Sequence, residues 1–422
     1  MDSASAIASL STFIDKRKSR SRIIRTIAIA LTIAIVLLSF PFFNFSPAAS
    51  QLPLLFNFGD SNSDTGGYSA SFHRLPSPHG DTYFGRPSGR FSDGRLIIDF
   101  IAEKLGIPYL NAYLDSISSD FTHGANFAAS GATIQPGNGK LLDANFNPIS
   151  LNIQILEFQQ FKDRTIELYQ QDRSLWRRKG LPRPEDFSKA LYTLDCGQND
   201  LDFWLETMMD EQKVVASIPN IINQFALAIK ELFQEGARKF WIHNTGPIGC
   251  LPIIVIVHPP KPGNVDSAGC VKSYNEVAQV FNKKLNQTIS KLRTDLSDAV
   301  HILVDIYSAK YSLISEAKKN GFEDPLGCCC GQFGDYRVDC GTTTELVNGT
   351  EVYGAACSDP SKRISWDGIH YTEAANKLVA NRTMDGSLSD PPLPLIEACA
   401  QPIHSTTFLR GYHNDKRKVF VS

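Results

Sequence analysis

Two distant segments carry residue types that together could perform nucleophilic catalysis. Residues 56–67 read FNFGDSNSDTGG and directly follow an apolar run, so Ser61 lies in a turn after a predicted strand. Residues 365–376 read SWDGIHYTEAAN, with Asp367 three positions before His370, a spacing that places both side chains on one side of a turn or helix. A serine hydroxyl becomes a nucleophile when an oriented base removes its proton. Each segment alone also fits a blander interpretation, an ordinary turn or a surface Asp–His pair at a helix entry.

Acyl transfer also requires hydrogen-bond donors for the oxyanion that develops on the carbonyl. Residues 194–200 read LDCGQND, where the Asn199 amide could be one donor, and residues 123–133 read HGANFAASGAT, where Gly131 could offer a backbone N–H. Common turn chemistry and a tightly packed strand and bend remain the alternatives. Asp60 and Asp64, which flank Ser61, are expected to fix the turn by hydrogen bonds rather than to transfer protons.

The rest of the chain predicts the scaffold that would position these residues. Apolar runs of strand length alternate with long helical patterns, which favours a mainly parallel sheet covered by helices on both faces in one α/β domain. Ser61 would then lie at the carboxyl end of a strand, where open parallel sheets bind ligands. The predicted strands span 52–58, 190–195, 239–244 and 301–305, and the predicted helices span 214–235 and 271–296.

The overall charge gives no reason to expect nucleic acid as a partner. The 42 Lys and Arg against 44 Asp and Glu leave a net charge of −2, which offers no electrostatic case for nucleic acid binding.

The first fifty residues bear on the location of the protein. They contain a basic cluster at 16–25, an apolar run at 26–41 and then several small residues. This pattern predicts a signal peptide over 1–48, cleaved near Ala48 or Ala49. An uncleaved signal anchor is the alternative, and only then would the protein be attached to a membrane. The remaining chain divides into a domain over 49–400 and a tail over 401–422.

Cysteines and sequons agree with a secretory route to the extracellular space or cell wall. Nine cysteines, without a C-x-x-C pair, predict disulfides rather than a zinc cluster, and their odd number leaves at least one free thiol. Their connectivity stays open. The sequons at Asn286, Asn348 and Asn381 predict glycosylation.

This sequence resembles a known family because it contains four blocks in one order: G-D-S, a Gly within small residues, G-x-N-D and D-x-x-H. The segments at 85–106 and 244–252, which we call fillers, lie between these blocks and resemble the same family. The sequence is similar to the plant branch of the GDSL esterase/lipase family within the SGNH hydrolases, most of all to early-nodulin and acetylesterase-like members. The resemblance implies a three-layer α/β/α fold of flavodoxin type and hydrolysis of carboxylic esters with neither metal nor cofactor. It assigns Ser61 as nucleophile, His370 as general base and acid, and Asp367 as its orienter.

By the same resemblance, the oxyanion hole comprises the N–H groups of Ser61 and Gly131 and the Asn199 amide. Cys196 departs from the aliphatic residue of many relatives, and we expect it to be buried as a small hydrophobe. The expected substrate is a short acyl ester, foremost an acetyl ester, of a carbohydrate or glycosylated metabolite.

Three alternatives stay open at this point. The first is a lipase that acts on longer acyl chains, and the second is a secreted carbohydrate-binding or partner-binding protein that keeps an esterase scaffold without turnover. The third is a glycosidase, which would need two carboxylates across the scissile bond, for example Asp60 and Asp64. The sequence contains no G-x-S-x-G motif, so the α/β-hydrolase interpretation has no support.

Overall fold

Short segments, most of them apolar, form the strands of a central sheet. The computed structural model describes residues 53–117, 119–136, 147–171, 179–208, 210–257, 259–334 and 336–401. Its strands are β1 (Leu55–Gly59), β2 (Gly124–Asn126), β3 (Leu191–Asp195), β4 (Lys239–His243), β5 (Val300–Val304), β6 (Thr343–Glu345), β7 (Glu351–Tyr353) and β8 (Ser389–Asp390).

Six of these strands form one sheet in the order β2-β1-β3-β4-β5-β8. The first five are parallel, and β8 pairs antiparallel with β5. The order 2-1-3-4-5 is that of flavodoxin-like folds. In these folds the strand order changes direction between β1 and β3, which leaves a crevice at the carboxyl ends of these two strands. Strands β6 and β7 form a separate hairpin.

Helices cover both faces of the sheet because successive strand residues point to opposite sides. Phe56 and Phe58 pack on one face with the helices at 151–171, 211–234 and 272–295, whereas Leu55 packs on the other with the helices at 97–105, 306–315, 373–384 and 395–400. The three-layer α/β/α prediction is therefore confirmed, and all described residues belong to one compact unit. The helices are α1 (Gly67–Ser71), α2 (Asp81–Phe84), α3 (Ile97–Leu105), α4 (Leu151–Gln171), α5 (Gln198–Met208), α6 (Glu211–Gln234), α7 (Pro252–Val257), α8 (Lys272–Asp295), α9 (Ile306–Ser315), α10 (Glu373–Met384) and α11 (Leu395–Ala400). Short 3-10 helices lie at Pro184–Lys189, Ile248–Cys250, Ala317–Asn320 and Pro360–Lys362.

The four predicted strands and two predicted helices are present, with shifted ends. The helix predicted from 214 begins at Glu211 because the Asp210 side chain accepts hydrogen bonds from the N–H groups of Gln212 and Lys213, at 3.1 and 3.2 Å. Such a cap satisfies donors that the first helical turn leaves free. The capping residue is polar, so the apolar periodicity that predicts the body of the helix does not indicate where the helix begins.

Helix α4 closes the end of the strand that leads to Ser61. The buried Gln154 side chain accepts from the N–H of Gly59 at 2.9 Å and donates to the carbonyl of Gly59 at 2.8 Å. A side chain placed at Gly59 would lie 2.4 Å from the carbonyl oxygen of Asp195 on β3. Only glycine therefore fits where β1 passes β3 and turns into the loop.

Three disulfides join Cys250 to Cys270, Cys329 to Cys357 and Cys330 to Cys340. Cys196, Cys328 and Cys399 are free thiols, in agreement with the prediction that at least one cysteine stays unpaired.

The predicted signal segment 1–48 lies outside the described residues, as does the tail beyond Gln401. Within the described ranges, no helix combines the length and apolarity needed to cross a membrane.

Candidate active site

Ser61 lies in the turn that directly follows β1 and is 5% exposed. The Asp64 carboxylate organises this turn: it accepts from the successive N–H groups of 66–68, at 2.7, 2.6 and 3.0 Å, and from Ser130 at 2.8 Å. The last bond ties the turn to the small-residue segment that contains Gly131. Asp64 thus has the structural role expected of it.

Asp60 closes the same turn from the other side of Ser61. Its carboxylate accepts from the backbone N–H and the side-chain amide of Asn62, at 2.9 and 3.0 Å. Burial, followed by the nearby negative charge of Asp195, raises the pKa of Asp60 to about 7. Asp60 is 1% exposed, and both of these hydrogen bonds lie within the turn, so its observed role is to hold the turn.

Asp367 and His370 form the base arrangement that their spacing predicts, in the turn that precedes α10. Nδ1 of His370 lies 2.6 Å from Oδ2 of Asp367. Burial by itself raises the pKa of Asp367, but the charge and hydrogen bonds of His370 outweigh it and lower the pKa to about 2. Nε2 of His370 has no hydrogen-bond partner among the described residues, so no hydrogen bond joins it to Ser61 Oγ in this structure. Such bonds often form only when substrate is bound.

The segment that carries His370 is held from two directions. The disulfide-bonded loop supports it through its backbone: the N–H groups of Cys329 and Cys330 donate to the carbonyl of Trp366, at 2.9 and 2.6 Å, and Trp366 N–H donates to the carbonyl of His370 at 2.7 Å. From the other side, the Phe91 ring packs against the imidazole with 5.0 Å between centroids. The imidazole is therefore fixed by covalently braced backbone and by packing.

The donors predicted for an oxyanion hole lie beside the nucleophile turn. The segment before Gly131 is tied to the end of β1 by the bond from Ala129 N–H to the Gly59 carbonyl at 3.2 Å. Asn199, at the start of α5, donates its amide to the Ala132 carbonyl at 2.8 Å, which leaves one amide hydrogen available. In the described part of the chain, the N–H groups of Ser61 and Gly131 donate to no protein acceptor.

Gly131 has a φ of 79°, a conformation that a residue with a Cβ rarely adopts. Nearby, Cys196 is 6% exposed and belongs to the core beside β3. Burial raises the pKa of its thiol well above the ordinary value, so the predicted packing role agrees with the structure.

The structure also brings residues to the site that the sequence motifs did not identify. Phe91 lies in the GRPSGRFSDGR filler, where family likeness was the only signal. His79 stacks edge-on against Trp366, with 5.9 Å between ring centroids. Lys310 reaches the site from α9, and no pattern in its helix singled it out. None of these three has a recognisable spacing to Ser61 or His370.

Asn286, Asn348 and Asn381, the predicted glycosylation sites, are exposed. Glycosylation itself stays a prediction. Across the residues that the structure describes, no group of three His, Cys, Asp or Glu side chains is placed to hold a metal ion.

Comparison with known proteins identifies the family. Residues 55–383 match the sequence profile of the GDSL-like Lipase/Acylhydrolase family. A GDSL esterase/lipase of Arabidopsis thaliana is 51% identical over 82% of this chain and 89% of its own length. The GDSL esterase/lipase ENOD8 of Medicago truncatula is 45% identical over 84% of this chain and 92% of its own, and a protein named Alpha-L-fucosidase 3 of Arabidopsis thaliana is 46% identical over 80% and 91%.

The match covers both the nucleophile turn, which follows β1, and the His370 segment. The strand order is the flavodoxin-like one that the resemblance predicted. The resemblance to plant members of this family is confirmed. The chain belongs to the GDSL-like lipase/acylhydrolase family and is a carboxylic ester hydrolase.

Proposed function

We propose that this protein is a secreted serine esterase that removes short acyl groups, foremost acetyl, from a carbohydrate or glycosylated metabolite through an acyl-enzyme on Ser61. His370 takes the proton from Ser61 Oγ as the oxygen attacks the ester carbonyl. Asp367 holds the imidazole through Nδ1 and stabilises the imidazolium that forms. The tetrahedral oxyanion accepts hydrogen bonds from the N–H groups of Ser61 and Gly131 and from the Asn199 amide.

The second half of the reaction reverses these roles. His370 gives its proton to the leaving alcohol, which departs as the carbonyl re-forms on the Ser61 ester. It then takes a proton from water, which attacks the acyl-enzyme and releases the acid, and the proton returns to Ser61. Apart from the ester and water, these steps use the side chains and backbone donors named here.

The observation that carries the proposal is the state of His370. Its Nδ1 is engaged by Asp367 at 2.6 Å, while its buried Nε2 has no partner in the described ranges. A general base requires that nitrogen to be free for the proton it accepts. His243 shares both features, since its Nδ1 lies 3.1 Å from Asp195 and its buried Nε2 has no partner in the described ranges. His370 differs because it lies in the last of the four family blocks, within the matched residues 55–383.

Aromatic rings next to His370 support the proposed class of alcohol. The leaving alcohol must lie near Nε2, and Phe91 packs on this imidazole. Tyr68 packs on Phe91, and Phe72 packs on Tyr68, each with 5.5 Å between centroids. All three rings are half-buried, so part of each faces solvent. Half-buried aromatic rings of this kind can accommodate the apolar face of a ring-shaped alcohol such as a sugar.

A panel of p-nitrophenyl esters from acetyl to long chains, with the wild type and Ser61→Ala, tests the reaction and the acyl preference. We expect turnover that is fastest for acetyl and is abolished in Ser61→Ala. The matched control is Ser63→Ala, because the Ser63 hydroxyl is engaged by the Asn57 amide at 3.0 Å. Folded wild type that hydrolyses no ester of any length would favour the binding protein, and a maximum at long chains would favour the lipase.

The relative named a fucosidase makes glycoside hydrolysis the second candidate. It would need two carboxylates that reach a glycosidic bond. Asp60 and Asp64 are 1% and 0% exposed and are engaged within the turn, which counts against that role. A p-nitrophenyl fucoside in the same assay tests this candidate: turnover that survives Ser61→Ala would support it over the esterase.

We propose that the protein is secreted with its signal segment removed. The basic and apolar N-terminal pattern, three exposed sequons and three disulfides support this location. N-terminal sequencing of protein from the culture medium of a secreting host should begin near Ala49. A cell-attached product that keeps residues 1–48 would support the signal anchor instead.

A further inference from the structure

Lys310 is a buried lysine that the proposed reaction does not use. It lies on α9 and is 3% exposed. Burying an ammonium group is costly unless its charge and donors find partners. Within the described ranges, however, no carboxylate forms an ion pair with its Nζ. Its two close contacts are unusual ones: Nζ donates to Oδ1 of Asn62 at 3.2 Å and lies 4.4 Å from the ring centroid of Tyr371.

These two contacts are to the immediate neighbours of the proposed catalytic residues. Asn62 follows Ser61 and Tyr371 follows His370. The contacts therefore span two segments that lie far apart in the sequence and that have no hydrogen bond between Ser61 Oγ and His370 Nε2 to align them.

On the nucleophile side, Lys310 holds the outer end of a short chain of hydrogen bonds. Asn62 receives Lys310 at its oxygen and donates from its nitrogen to Asp60 at 3.0 Å, so that Asp60 and Asn62 enclose Ser61 between them. On the base side, the Tyr371 ring is 6% exposed, and cation–π attraction is stronger where water is excluded.

The charged surroundings explain why a lysine is tolerated there. Burial lowers the pKa of Lys310, and the charges of Asp195, at the end of β3, and of Asp60 offset part of that lowering without forming an ion pair with it. Asp195 is itself paired with Nδ1 of His243 on β4, at 3.1 Å. Two carboxylates thus face the Lys310 side chain, while its hydrogen-bond donor is directed to Asn62.

We propose that Lys310 is a positioning residue that links the Ser61 turn to the His370 segment and so sets the alignment of nucleophile and base. It touches no reacting atom. This inference rests on the proposed function. Misalignment by about 1 Å can cost about 100-fold in rate. Because Lys310 affects the alignment of nucleophile and base, we expect it to influence the chemical step rather than substrate binding.

The test is the rate at which a small fluorophosphonate modifies Ser61, measured in Lys310→Met together with kcat and KM for p-nitrophenyl acetate. Methionine keeps an unbranched apolar stem but has neither charge nor donor. We expect the modification rate and kcat to fall by about 10- to 100-fold with KM within about three-fold. The matched control is Lys239→Met, another buried lysine, which donates to the Cys399 carbonyl at the opposite end of the sheet. Its modification rate should equal that of the wild type.

Asn62→Ala supplies a second route if Lys310→Met does not fold, because it removes the acceptor at a half-buried surface turn. It should also slow modification, and the double variant should be no slower than the slower single variant if the two residues act through one contact. Wild-type modification rates in Asn62→Ala, or losses that multiply in the double variant, would overturn the inference. A wild type that is not modified at Ser61 would instead overturn the proposed nucleophile, and this inference with it.

Discussion

Asp367 binds His370 through both of its carboxylate oxygens. Oδ2 lies 2.6 Å from the imidazole Nδ1, and Oδ1 accepts the backbone N–H of His370 at 2.8 Å. The spacing of three residues allows this arrangement because the turn before α10 brings both groups of His370 to one side. One carboxylate thus fixes both the ring and the backbone of the proposed base, which sets its tautomer with Nδ1 protonated.

Asp367→Asn should therefore lower kcat far more than it lowers stability. The amide keeps the shape but loses the charge that stabilises the imidazolium, and it can present its NH₂ group to Nδ1, which favours the wrong tautomer. We expect a loss of about 10⁴-fold in kcat. Steady-state kinetics on p-nitrophenyl acetate measures it, with Asp359→Asn as control, since Asp359 only caps the exposed 3-10 helix at Pro360–Lys362. A loss of less than about ten-fold would contradict the proposed role of Asp367.

Asn199→Ala should lower kcat by about 10²–10³-fold, the typical effect of removing one oxyanion donor. The same amide donates to the Ala132 carbonyl at 2.8 Å, so some loss of stability should accompany it. Thermal unfolding separates the two effects. Asn199→Asp keeps the shape but brings an acceptor and a negative charge to the developing oxyanion, so it should be at least as slow as the alanine variant. Near-wild-type kcat in Asn199→Ala would remove Asn199 from the oxyanion hole.

Replacing Cys330 and Cys340 by alanine should reduce both stability and activity. Their disulfide braces the loop whose backbone donates to the Trp366 carbonyl, and Trp366 N–H in turn donates to the carbonyl of His370. Loss of a disulfide typically costs about 2–4 kcal/mol in the free energy of unfolding. Denaturant unfolding and kcat are the measurements, and Cys399→Ser, which alters a free thiol, is the control. Unchanged kcat in the folded double variant would show that the loop stabilises the fold without holding the base.

Acid should destabilise the protein partly through His301, a core residue of β5 stacked on Phe240 with 5.0 Å between centroids. Burial, followed by the charge of Arg293, lowers the pKa of His301 to about 4, below the value of about 6.5 in an unfolded chain. The unfolded state therefore binds the proton first, and stability is lost as the pH falls from 6.5 towards 4. Between about pH 7.5 and about pH 5 this amounts to about 2 kcal/mol.

His301→Phe removes this titration and keeps an aromatic ring on Phe240. Its free energy of unfolding, measured with denaturant at both pH values, should fall by about 2 kcal/mol less than that of the wild type. An identical pH dependence in the two proteins would show that His301 does not contribute to acid sensitivity.

Much of the scaffold could be predicted because its signals are local. Apolar runs of strand length identified β1, β3, β4 and β5 to within three residues at each end, and helical periodicity identified α6 and α8. Strand β2 was missed as a definite element: only Gly124–Asn126 pair with β1, and its Gly and Ala residues resemble a bend as much as a strand. Helix α4 was missed as well, since its buried Gln154, Lys162 and Thr165 interrupt the apolar pattern.

The sequence by itself determined the residue types and order of the proposed site, because each block satisfies a local turn: Asp64 caps the backbone after Ser61, and Asp367 binds a residue three positions away. Only the tertiary structure decided which disulfides form, that Phe91 packs on His370, and that Lys310 lies between Asn62 and Tyr371. These contacts join residues that are distant in the chain. They depend on how the parallel strands bring their carboxyl ends to one edge, and no periodicity or spacing along the chain encodes such a meeting.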